Sequence, residues 1–547
     1  MGSAAMSYRR LLASIALCAV GHAAEAVTVV NLCASDRQAP TSPSQRNLQA
    51  ALVIGGEIQF SCPQGTVLRI TGEHSINGNT TIDGGSRVTL DAQGRNLFRA
   101  DWAGATLTLR NIRLQNGGQV LGRAAMIWGV METVLENVDI VGTNHAIQIE
   151  GNGIRVTNSR FADNTGPVLM AQRMSVSDSS FVRTTYHAMY VESNTPGSEV
   201  FLDKVIVEGN ANGNDSPSRF HGCNLTVTRS TFRRHVASAG VGGALVVDCP
   251  KATIVDTVFE DNTAISAGAL ALGNYAREVE IRSATFSRNS ATSFGGAISA
   301  NHFPDAARSL TILRSRFVQN RATRGGAIML EGTRLRGSAV SFKANTASDA
   351  GGAIYASYSF VQLGRTLFVD NEAPTGASLR MAGDAEQRLD LANTIIARSK
   401  GAGSALEGDL AGKIVTSTVT ANEGLGIKTS QRLTLAGSII SHNRAGNCAE
   451  AGGRFVDGGG NLQFPEATCG SSAAVANPLL DSFFVPDFES PAQRAFDSSV
   501  CESPPTNAKD FYGQRRPRAP GARCTAGAVE GDIEQVIRRT KRHLREP

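Results

Sequence analysis

Between Phe232 and Asn371 the phrase Phe-x-x-Asn returns every 25 to 31 residues, followed by a short gap, two glycines and a small-then-apolar run. The copies are Phe259 with Asn262, Phe286 with Asn289, Phe317 with Asn320, Phe342 with Asn345, and Phe368 with Asn371; Phe161 with Asn164 is an outlier. The glycine element reads Gly242-Gly243-Ala244-Leu245, Gly295-Gly296-Ala297-Ile298, Gly325-Gly326-Ala327-Ile328 and Gly351-Gly352-Ala353-Ile354, with Ala267-Gly268-Ala269-Leu270 as a degenerate member. A fixed period of this size means stacked units, none of which buries its apolar face alone.

The runs inside a unit, such as Ala252 to Phe259, Glu278 to Phe286 and Leu310 to Val318, are rich in Val, Ile, Thr and Phe and lack a helical stripe. About three such strands in roughly 25 residues make one turn of a parallel β-helix. Equivalent positions then stack at about 4.8 Å. Phe is expected to fill the interior and Asn to form an amide ladder at a bend, where an amide tolerates left-handed backbone. The glycines suit a second bend. Weaker runs on both sides bring the expected total to about 14 coils, a rod roughly 65 Å long.

The fold class expected is all-β: a single-stranded right-handed parallel β-helix of the pectate-lyase-like kind, with an N-terminal capping helix and a disulfide-rich C-terminal cap. Ser44 to Val53 reads as that helix, with Ser44 as N-cap. The expected divisions are 1–26, a signal peptide; 27–105, the N-terminal cap and first coils; 106–445, the repeats; 446–531, a Cys/Gly/Pro-rich cap; and 532–547, a basic tail. Arg9 and Arg10 before Leu11 to Val20, then Ala24-Glu25-Ala26, suggest export. Beyond it no stretch is long and apolar enough to cross a membrane as a helix. The expected location is bacterial: secreted, cell-surface or periplasmic.

Of nine cysteines only Cys18 falls in the leader. Eight in an export context suggest disulfides, and locality pairs Cys33 with Cys62, Cys223 with Cys249, Cys448 with Cys469 and Cys501 with Cys524, out of about 105 possible pairings. No C-x-x-C or H-x-x-x-H spacing supports a metal site. With 53 basic against 48 acidic residues the chain has no nucleic-acid footprint.

These repeats resemble those of chlamydial polymorphic outer-membrane proteins and, more widely, secreted bacterial right-handed parallel β-helix proteins. Cys33, Leu48 to Leu52, Ile58 to Cys62 and Thr80 to Gly85 look like the N-terminal coil of that set. Asn447-Cys448, Gly460-Asn461-Leu462, Asn477 to Leu480, Tyr512 to Arg518, Cys524, Gly527-Ala528 and Glu530 are similar to the choice-of-anchor Q region. There Phe511-Tyr512-Gly513 and Thr525-Ala526 depart from the usual pattern. The resemblance implies architecture and surface association rather than a reaction, and no sorting signal or membrane barrel is expected after Glu530.

Chemistry is expected where the repeat breaks. The polar stretch from Glu208 to His221 reads as a loop that presents Asp215, Arg219 and His221, the catalytic candidates, with Asn212 and Asn214 as ligand-binding candidates. Asn210, Asn212, Asn214 and Asp215 only faintly suggest a calcium loop, without its closing Glu. Tyr186, His187, Tyr190 and Glu192 form a second cluster able to stack on a sugar, although packed strand positions explain them equally. His145 and His235 read as bend residues, and Asp248, Glu260, Asp261 and Glu372 as solvated bend positions.

The leading expectation is a non-catalytic secreted or cell-surface β-helix whose repetitive face, including Arg282, Arg314, Arg316 and Arg334, serves adhesion or glycan binding. The alternatives are a lyase of acidic glycans, in which Ca²⁺ could take part, and a structural envelope component. No other cofactor is expected.

Overall fold

The computed structural model describes residues 27–531, except 103, 119–124, 196, 213–215, 301–307, 384–386 and 518, and the side chains of 211 and 212. The expected leader and the basic tail after residue 531 lie outside the described residues.

The chain winds into a right-handed parallel β-helix of about 16 turns, two more than the periodicity counts. A 34-stranded sheet forms two flanks, a 16-stranded sheet forms another, and a short 6-stranded sheet spans the repeat region. The early strands His74–Ser75 and Phe98–Ala100 belong to the 16-stranded sheet, where they lack the repeat phrase and escape a pattern search.

One coil shows how sequence makes the shape. Lys251–Val255 runs to a bend at Asp256 (φ 49°), Val258–Glu260 follows, Asp261 (φ 55°) turns the chain again, and Thr263–Ser266 joins the 6-stranded sheet before Leu270–Leu272 enters the 16-stranded one. The runs read as single strands are therefore pairs of strands broken by one left-handed residue, here Asp256 and in the next coils Ser283 and Arg314.

The Phe column lies inside. Phe259, Phe286, Phe317, Phe342 and Phe368 are fully buried and stack at 4.7 to 4.9 Å between ring centroids. The ladder asparagines do not carry the left-handed backbone expected of them. That conformation falls on the residue before each: Asp261, Arg288, Gln319, Ala344 and Asp370.

The two glycines of a pair serve different ends. Gly295, Gly325 and Gly351 hold φ of 62 to 68°, a conformation Ala267 adopts in the degenerate copy. The second glycine lets coils approach: a Cβ on Gly296 would lie 2.1 Å from the Gly326 carbonyl oxygen, and one on Gly326 2.1 Å from that of Gly352. A side chain there would separate the coils.

At the N-terminal end the helix is Leu48–Ile54, three residues shorter at its start than the sequence suggests. Asn47, not Ser44, is its N-cap and accepts from the Ala50 amide, and Leu48 and Ala51 face the core. Cys33 is bonded to Cys62, Cys223 to Cys249, Cys448 to Cys469 and Cys501 to Cys524. The C-terminal region packs along the flank of the last coils, with Val485, Ala528 and Val529 against Ile395 and Ala397, and Phe496 and Ala526 against Ile439 and Leu462. No helix among the described residues is long and apolar enough to cross a membrane.

Candidate functional site

Stacking brings together residues that are far apart in sequence. Strands Met189–Glu192, Ser218–His221 and Leu245–Asp248 are successive neighbours in the 16-stranded sheet, with Tyr190 paired to Arg219, Glu192 to His221, and His221 to Asp248. Met189, Val191, Phe220, Leu245 and Val247 fill the interior. Alternation then turns Tyr190, Glu192, Arg219 and His221 outward, about 4.8 Å apart between coils and about 6.6 Å along each strand. Arg219 and His221 thus lie on a strand rather than in a loop. Asn214 and Asp215, and the Asn212 side chain, lie outside the described residues.

The best-defined contact in this array is between His221 and Asp248, with Nδ1 2.8 Å from Oδ2. Asp248 is not a solvated bend position. Its other oxygen accepts the Tyr275 amide at 2.7 Å, and its side chain is 15% exposed against 32% for His221. Neutral His221 donates Nδ1–H to the carboxylate, which leaves the Nε2 lone pair for another partner.

The surroundings hold this pair in place. Cys223, two residues after the second strand, and Cys249, directly after the third, tie the coils together, with Cα atoms 4.8 Å apart. A Cβ on Gly273 would come 2.4 Å from Asp248 Oδ1, so only glycine permits that approach. Arg308 is 1% exposed and donates to the carbonyls of Gly273 (2.6 Å) and Ala276 (2.9 Å), fixing the turn that carries Tyr275. Burial lowers its pKa to about 10, with the charge of Asp248 opposing the shift. The Tyr275 ring meets His221 edge-on at 5.1 Å.

Tyr190 donates to Glu192 at 2.8 Å. His187 serves the scaffold: it is 4% exposed and its Nδ1 lies 2.7 Å from the Ser216 carbonyl oxygen. Tyr186 is exposed and packs against His187 at 4.5 Å.

Two further histidines, His74 and His235, are sealed in. His74 contacts Asp36 at 2.8 Å, but their side chains are 4% and 0% exposed, and burial lowers the His74 pKa. Burial takes His145 to about 4 and His235 to about 3. Among the described residues no group of three or more His, Cys, Asp or Glu gathers as for a metal ion. A cavity of about 370 Å³ lies between bend residues Thr420, Ala421 and His442 and the C-terminal Leu479, Asp481 and Phe484. Asp481 is committed there to the amides of Phe483 and Val485.

A second feature is electrostatic. Along the rod several outward arginines are matched by a carboxylate from a neighbouring coil: Arg183 with Asp163, Arg229 with Asp203, Arg233 with Glu208, Arg288 with Asp261 and Glu260, and Arg398 with Asp370. Arg282 is likewise neutralised by Glu280 on its own strand at 2.5 Å. Between residues 309 and 348 the sequence holds seven basic residues and the single acid Glu331, and of the seven Arg324 is matched by Asp349 of the next coil at 2.6 Å. Arg314, Arg316, Arg321, Arg334, Arg336 and Lys343 are exposed there, on two adjacent coils. Arg334 lies over the Phe360 ring at 5.3 Å.

Two segments, 283–301 and 339–357, match the Chlamydia polymorphic membrane protein repeat. No curated protein and no solved structure matches the chain. The protein is a β-helical repeat protein, two segments of which are similar to the polymorphic membrane protein repeat.

Proposed function

We propose that the protein is a cell-surface β-helix that binds an extended acidic glycan through the basic belt of Arg314, Arg316, Arg321, Arg334, Arg336 and Lys343. The observation that supports this is a local excess of cations: exposed Arg314, Arg321, Arg334, Arg336 and Lys343 crowd two adjacent coils whose stretch from residue 309 to 348 carries one acid, Glu331. A rigid scaffold carrying such an excess of charge attracts a polyanion over several contacts, each weak alone. The Arg334–Phe360 pair adds an aromatic face beside a guanidinium, suited to a sugar ring bearing a carboxylate. The repeat match, to a family named for membrane proteins, supports a surface setting.

The test is retention on immobilised polyuronate against a neutral glucan, in 50 and 500 mM salt, with anionic phospholipid vesicles as a third arm. The expected result is salt-sensitive retention on polyuronate, reduced at least tenfold by Arg334→Glu with Arg336→Glu. Equal retention on the neutral glucan contradicts the reading, and binding to vesicles alone replaces it with a membrane-directed one.

A further inference from the structure

The geometry points to a general acid–base centre at His221, with Asp248 as its positioning residue, acting on a uronate-containing polysaccharide laid across strands Met189–Glu192, Ser218–His221 and Leu245–Asp248. The sequence pattern of stacking needs none of these residues. A coil closes with any small polar side chain at the outward positions, yet here three consecutive coils supply Tyr, Glu, Arg, His and Asp in one array.

Three observations separate this pair from an incidental ion pair. The first is contrast within the same molecule: His74 and Asp36 have the same 2.8 Å contact but are sealed, whereas His221 keeps about a third of its side chain open to solvent. The second is support. A disulfide, a glycine that only a missing Cβ allows, and a buried guanidinium all converge on the Asp248 side of the pair. Such backing holds reacting groups in place. The third is the company: Arg219 and Glu192 lie in the same outward array, and Tyr190 is held by Glu192.

That set suits removal of a proton from carbon next to a carboxylate. His221 Nε2 takes the C5 proton of a uronate unit while the Arg219 guanidinium faces the C6 carboxylate and stabilises the charge that develops there. The electron pair left at C5 forms the C4–C5 double bond as the C4–O4 bond breaks. Tyr190 gives its phenolic proton to the departing O4, and proton exchange with solvent returns the imidazolium and the phenolate to their starting forms. No redox partner or water is consumed, and the products are a fragment with an unsaturated uronate at its non-reducing end and a fragment with a new reducing end.

The inference takes its substrate class from the proposed glycan binding but uses a different surface, so the two fail separately. Intact protein is incubated with polygalacturonate, alginate and chondroitin sulfate, with and without Ca²⁺, while absorbance of the unsaturated product and reducing ends are both followed. The expected result is unsaturated product from at least one polymer, falling at least 100-fold in His221→Ala. Asp248→Asn is expected to keep its thermal midpoint near wild type and to lower kcat at least tenfold with KM within about twofold, because the ring loses the acceptor that orients it while the substrate-facing groups Glu192, Arg219 and Tyr190 remain. Absence of unsaturated product from the wild type on every polymer overturns the inference, as does release of reducing ends without it, or turnover unchanged in His221→Ala. If Arg334→Glu with Arg336→Glu loses retention but keeps turnover on short oligouronates, the belt and the reacting site are distinct.

Discussion

Asn289 donates through Nδ2 to Oδ1 of Asn320, 31 residues later and one coil away, at 3.0 Å, and the same oxygen accepts the Asn289 amide at 3.0 Å. Asn262, Asn320 and Asn345 repeat this arrangement with the next asparagine along. Each Nδ2 also reaches back to a carbonyl, that of Phe259 in the case of Asn289. One side chain thereby satisfies buried groups on coils above and below.

Asn289→Ala is expected to lower stability by roughly 2–4 kcal/mol, since it leaves the Asn262 amide and the Phe259 carbonyl unpaired in a dry interior. Guanidinium unfolding followed by circular dichroism reads the loss. A shift of the midpoint no larger than that of an exposed control such as Thr292→Ala contradicts the ladder's role.

His235 occupies a ladder position with the wrong chemistry. Its amide donates to Asn262 Oδ1 and its Nδ1 accepts from the Asn210 amide, so the neutral ring fits, while burial holds its pKa near 3. A histidine depressed in the folded state contributes full stability above its unfolded value, about 6.5, and loses it as pH falls toward 3. The wild type is therefore expected to lose up to about 1.4 kcal/mol per pH unit below about 6 from this group alone. His235→Asn removes that slope. Parallel slopes for both proteins between pH 6 and 4 would falsify the assignment.

Arg516 anchors the C-terminal region. Fully buried, it donates to Glu530 (2.8 Å), to Asn393 Oδ1 (3.0 Å) and to the Gly527 carbonyl (2.7 Å). Arg516→Met leaves the Glu530 carboxylate buried without its cation, a loss of about 3–5 kcal/mol. Faster hydrogen exchange confined to residues 476–531, with the repeats unchanged, is the expected signature. Uniform protection throughout contradicts it.

The repeat made the interior legible. Phe259 to Phe368 and Asn262 to Asn371 stack because identical neighbours share one environment in every coil, and a period in sequence becomes a column in space. Local backbone was less legible: the left-handed turn falls on Asp261 and Gln319, residue types with no shared signature, so nothing in one sequence marks that position. The site was half visible. Arg219, His221 and Tyr190 stood out as breaks in the repeat, but the distance from His221 to Asp248, 27 residues, became adjacency only through register. In sequence Glu192 reads with Tyr190 as a separate cluster and Asp248 as a solvated bend position; aligning the strands on their buried residues places both beside His221. The cation belt was legible as composition, but which arginines are neutralised was not: Arg282 and Arg334 look alike in sequence, and one meets Glu280 while the other covers Phe360.

The central claim is that an acidic glycan is held at the basic coils. Hydrogen–deuterium exchange of the intact protein with and without a saturating polyuronate tests it most directly. The account predicts slower exchange in Arg308–Leu313, Arg316–Val318, Arg321–Arg324, Thr333–Ser338 and Ser341–Lys343, with the charge-matched coils around Arg398 unchanged. Protection spread evenly along the rod, or absent from these strands while the polymer is bound, contradicts it.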